Sequence, residues 1–89
     1  MATPPFVAKE ETLAALASER AYQTHIAATF NHAGVPTLSA DILLMRLLLS
    51  QIESAWYAPK NDAQVMDLVR KLAAVSLRSL DNHGAPMRA

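Results

Sequence analysis

Apolar residues recur along most of this chain at helical rather than strand spacing, and three stretches carry the pattern. Between Lys9 and Phe30, Leu16, Ile26 and Phe30 fall on one side, with Glu10 and Glu11 placed in the first turn, where carboxylates favour the positive end of the helix dipole. Gly34 and Pro36 stop that segment and leave Val35-Pro36-Thr37 as a connector. A second segment, with Ser39 as the expected N-cap and Asp41 in the first turn, runs to Tyr57 and is halted by Pro59. A third begins at Asn61 or Asp62 and runs to Asp81 or Asn82, with Gly84 as a left-handed C-cap and Pro86 beyond it. The pattern therefore predicts helices over about 9–31, 39–57 and 62–82 in one domain spanning 9–84. An extended tail over 1–8, containing Pro4 and Pro5, and a loose tail over 85–89 flank it.

The width of the apolar faces carries the second inference. On the third segment Val65, Leu68, Val69, Leu72, Val75 and Leu80 share a face that Met66, Ala73 and Leu77 extend, giving an arc of roughly 200° where one core contact needs about 100°. Gln64, Asp67, Lys71, Arg78 and Asp81 make the opposite, polar face, and Asp67 with Lys71 is an i,i+4 ion pair. The second segment is apolar nearly all round. Ile42, Leu44, Met45, Leu48, Leu49, Ile52, Ala55 and Trp56 fill one broad side, Leu43 and Leu47 lie on the other, and the interior charges Arg46 and Glu53 share one edge. Three helices with short connections form an up-down-up unit, which cannot enclose such a helix. The expected fold is all-α, with the three-helix unit assembling into a dimeric or higher helical bundle. Leu43, Leu47, Leu44, Leu48, Met66 and Leu77 are the expected interface positions, and a homo-oligomer is the expected assembly. Singly exposed leucines are the plainer alternative for Leu43 and Leu47.

Composition narrows the chemistry. The 89 residues are 52% hydrophobic and only 18% charged, with alanine and leucine dominating over β-branched residues, which favours packed helices. With no cysteine, thiolate metal sites, a cysteine nucleophile and disulfide stapling are excluded, so a domain this small must gain stability in another way, such as association. Eight basic residues balance eight acidic ones, so the excess cation that drives non-specific nucleic-acid binding is missing. The first residues show no basic region followed by an apolar one, and no apolar run is long enough for a membrane span. The expectation is a cytoplasmic protein, with neither a membrane nor a nucleic acid as partner.

Helix one contains the irregular feature. Glu19 and Gln23 interrupt the stripe of Leu16, Ile26 and Phe30, and a carboxylate on an inward face must be paired or hydrogen-bonded. Arg20, Arg70 or nearby backbone would satisfy it as a core network; alternatively Glu19 and Gln23 line a polar pocket. Trp56 and Tyr57, beside Pro59 and Lys60, are either core or a stacking platform. Arg46, Arg70, Lys71 and Arg78 suffice for one phosphate-bearing ligand. His25, His32 and His83 lack ligand spacing and read as solvent-facing or capping, and no Ser-His-Asp arrangement, P-loop or dinucleotide fingerprint is present.

Glu19-Arg20-Ala21-Tyr22-Gln23, the apolar second helix ending Ala55-Trp56-Tyr57, and Arg70-Lys71-Leu72-Ala73-Ala74-Val75 leading to His83-Gly84-Ala85-Pro86 and Arg88 carry a resemblance. Over about Leu16 to Arg88 the chain resembles the small phage and prophage proteins related to the MazG-like all-α nucleoside triphosphate pyrophosphohydrolases. The resemblance implies an oligomeric helical bundle. It also implies acidic pairs on two helices holding Mg²⁺ for cleavage between α- and β-phosphates. Those acids are missing here: the second helix reads Leu44-Met45-Arg46-Leu47-Leu48-Leu49, and the third offers only Asp67 with Arg70 three residues on. The expected function is a non-catalytic phage-type module that binds or sequesters a nucleotide or nucleotide-derived signal at helix or subunit interfaces, without a cofactor. Glu19, Tyr22, Gln23, Arg46, Arg70 and Trp56 are its candidate ligand residues. Two alternatives remain open: an interaction module inhibiting a host protein, and a divergent pyrophosphohydrolase, which alone would require Mg²⁺.

Overall fold

In the computed structural model, residues 5–29, 34–58 and 62–88 are described. They form α1 (Glu10–Thr29), α2 (Leu38–Tyr57) and α3 (Asp62–His83), with no strand among them. The three predicted helices are therefore present, and the expected end of the first, at 31, lies outside the described residues. Phe30, His32, Pro59, Lys60 and Asn61, to which the sequence assigned stripe, stop or capping roles, lie outside the described residues.

One cap is corrected. Thr37, not Ser39, caps α2: its extended backbone turns the chain, and its Oγ1 accepts from Ala40 N at 3.1 Å. Ser39 is already inside the helix. At the other end of the fold Gly84 behaves as expected: with φ at 121°, a region costly to any side chain, its N–H donates to Leu80 O at 3.0 Å and closes α3.

The core lies between α2 and α3. Leu48 and Ala55 of α2 meet Leu68 and Val75 of α3, and Leu44, Met45, Ile52, Val65 and Leu72 lean against them. Helix α1 contributes no member to that cluster. It also docks on α3, and among the described residues α1 and α2 make no close backbone approach to one another. The face of α1 that turns inward is the one the sequence indicated, with Leu16, Gln23 and Ile26 part-buried around a buried Glu19.

This arrangement leaves much of the surface uncovered. The radius of gyration is 15.2 Å, against about 12 Å expected for a compact chain of this length. No described helix is long and apolar enough to cross a membrane.

Candidate functional site

Two buried carboxylates organise the polar interior, and each is clamped by an arginine from α3. Glu19, only 8% exposed, accepts from Arg70 Nε at 3.0 Å. Arg70 is shared, because its Nη2 also pairs with Asp67 one turn back, and Lys71 stands 3.5 Å from the other oxygen of Asp67. The hydrogen bond from Arg70, reinforced by the charges of Arg70 and Lys71, holds the Asp67 carboxyl below its ordinary range, while the bonds to Glu19 and Asp67 raise the Arg70 guanidinium above its own. Glu19 thus forms a tertiary ion pair with Arg70, one of the partners the sequence allowed, and it also stands in the wall of a cleft. Arg20 turns to Gln23, donating to its Oε1 at 2.8 Å.

The second carboxylate is Asp41, fully buried at 0% exposure. Arg78 Nη2 donates to its Oδ1 at 2.7 Å, and His83 Nε2 lies 3.5 Å from Oδ2. The pairing is incomplete, since Asp41 Oδ2 and Arg78 Nε are buried without a hydrogen-bond partner. Sequence reasoning missed this centre. It placed Asp41 as a dipole-complementing residue, Arg78 on the polar face and His83 in solvent or at a cap; instead Arg78 and His83 turn toward one α2 carboxylate. The available signal was the spacing: Asp41, Leu48 and Ala55 are seven apart and share the face that α2 buries.

Between α1 and α2 lies an open cleft of about 510 Å³, walled by Glu19, Arg20, Tyr22, Gln23 and Ile26 of α1, by Leu44 of α2, and by Arg78 and Asn82 of α3. Three of the six expected ligand residues, Glu19, Tyr22 and Gln23, come together here. Arg70 lines a separate opening of about 640 Å³ along α1 and α3, beside Leu16, Met66 and Asp67. Arg46 and Trp56 line neither opening. Among the described residues no carboxylate pairs with Arg20, whereas Glu19 and Asp41 are each matched by an arginine. The cleft therefore has a net positive balance, together with an exposed tyrosine and two amides, Gln23 and Asn82.

Of the expected interface positions, Leu48 is taken up by the chain's own core and Leu44 leans on that core. Leu77 is part-buried, whereas Leu43, Leu47 and Met66 are exposed. Among the described residues no group of three or more histidine, aspartate or glutamate side chains is gathered in a way that could hold a metal ion. Comparison with family models, with curated proteins and with solved structures finds no match.

Proposed function

We propose that the chain is a non-catalytic helical module that works as an oligomer and binds a nucleotide or nucleotide-derived signal in the cleft between α1 and α2. The observation that carries this reading is the make-up of the cleft. Arg20 has no carboxylate partner among the described residues, and it stands beside Tyr22 and the amides of Gln23 and Asn82 in a space of small-molecule size. A guanidinium matches a phosphate bidentately, an aromatic ring offers a base its face, and amides serve base or ribose edges. Both buried carboxylates are matched by arginines, which leaves neither disposed as a metal-holding pair and favours binding over hydrolysis. The resemblance to MazG-like proteins, whose substrates are nucleotides, points to the same ligand class.

Calorimetric titration with nucleoside triphosphates and cyclic nucleotides tests it. Wild-type protein is expected to give saturable heat with at least one of them. Tyr22→Ala should weaken binding about 5- to 150-fold, the value of one base–aromatic stack. Absence of heat across the panel, or an unchanged affinity in both Tyr22→Ala and Arg20→Ala, overturns the reading.

A further inference from the structure

Helix α2 carries a second pattern on the edge of its core face. Leu38, Ile42, Met45, Leu49, Ile52 and Trp56 follow one another at spacings of four, three, four, three and four residues, which keeps an apolar seam on one side of a helix. Met45 and Ile52 lean on the chain's own core. The others stand between 49% and 53% exposed, so the seam is only half used within the chain. Arg46 and Glu53 border it; both are exposed, and neither forms an ion pair within the chain among the described residues.

We propose that α2 pairs antiparallel with α2 of a second copy about a two-fold axis at the level of Leu49. This deepens the self-association in the reading above and is independent of the ligand cleft. Three features select that occupant. Arg46 lies three residues before Leu49 and Glu53 four after it, about 10.5 Å apart along the helix at 1.5 Å per residue. An antiparallel two-fold sets Arg46 against Glu53 of the partner subunit, twice over, whereas a parallel pair would set like charges together. The same axis places Ile42 against the partner subunit's Trp56. That brings the aromatic end of one α2 to the end of the other where Leu38, Met45 and Leu80 open into a groove of about 400 Å³, the kind of pocket an aromatic anchor fills.

The third feature is area. The chain exposes 7280 Å², against about 5,100 Å² for a folded monomer of its 9.7 kDa mass. Part of the surplus lies on the extended ends, where Phe6, Val7 and Met87 are almost fully exposed, and part on α2, where Leu38, Ile42, Leu49 and Trp56 are half-exposed; a standard interface takes about 800 Å² from each partner.

Light scattering at micromolar concentration is expected to give a mass of about 19.4 kDa, twice 9.7 kDa. Leu49→Glu, at a half-exposed position, should keep its helical circular dichroism and fall to 9.7 kDa. Arg46→Glu and Glu53→Arg should each weaken the dimer, and the two together should restore it. Because the chain has no cysteine, Leu49→Cys should cross-link to its own copy under mild oxidation while Ile42→Cys should not. A monomeric wild type, a helical and dimeric Leu49→Glu variant, a double charge swap no better than either single change, or equal cross-linking by Ile42→Cys overturns the proposal. All these measurements use the ligand-free protein, so a failure of nucleotide binding leaves them standing.

Discussion

Asp41 is the charged side chain that the described structure buries completely. A carboxylate without solvent is tolerable only because Arg78 supplies a charge and a hydrogen bond at 2.7 Å. Arg78 is itself only 18% exposed, so each partner depends on the other. Removing one member leaves an uncompensated buried charge. Arg78→Ala is therefore expected to cost about 3–5 kcal/mol in urea unfolding, whereas replacing both, Asp41→Leu with Arg78→Met, should cost far less or even stabilise. A loss below about 1 kcal/mol for Arg78→Ala would mean that Asp41 is not held by this pair. The reason the sequence did not disclose the pair is physical. Asp41 in a first turn satisfies a local rule and needs no partner, while Arg78 stands 37 positions away, next to the buried face of α3, and reaches inward on a long side chain. Glu19 was legible because it breaks an apolar stripe, and a break calls for a partner. Asp41 heads a stripe at the point where carboxylates are ordinary.

At the scale of elements, the helices and their stops were legible, because proline, glycine and a helical apolar period act locally. Their grouping was not. The pattern placed three helices in one domain without saying which of them pair; the structure builds the core from α2 and α3 and attaches α1 through part-buried side chains and the Glu19–Arg70 pair. Most apolar residues of α1 are alanines, and of its larger aliphatic ones Leu13 is exposed while Leu16 and Ile26 are only part-buried. A helix so attached opens at a lower free energy than its neighbours. Hydrogen exchange should show α1 amides exchanging well before those of α2 and α3. Glu19→Ala should erase most of the remaining α1 protection by removing a charge-assisted bond of about 1.5–3 kcal/mol, with little change around Leu48 and Val75. Uniform acceleration across all three helices would show instead that α1 belongs to the common cooperative unit. The opening matters for the candidate site, since α1 supplies Arg20, Tyr22 and Gln23 to one wall of the cleft; a ligand bridging that wall to Arg78 and Asn82 would hold α1 down.

For the whole molecule the governing quantity is apolar surface that one copy leaves in water. Chains of this size sit near the limit at which one core suffices, and here that core is a single helix pair. Leu38, Ile42 and Leu49 on one edge of α2, and Leu43 and Leu47 on another, remain exposed at a cost that burial against a second copy would recover, at about 25 cal/mol per Å² of apolar area. If folding stability is drawn from that contact, unfolding becomes a reaction of dimer to two separate chains, and its midpoint must depend on protein concentration. A hundredfold rise in concentration adds about 2.7 kcal/mol per dimer. For a cooperative unit of 178 residues, twice 89, each kcal/mol moves the midpoint about 2–4 °C, so calorimetry at 2 and 200 μM, two concentrations chosen as about a hundredfold apart, should differ by about 5–10 °C. Leu49→Glu should flatten that dependence, because its melting would no longer release a partner. A wild-type midpoint that does not move with concentration would place the stability of this fold within the single chain and leave the exposed edges of α2 without a thermodynamic role.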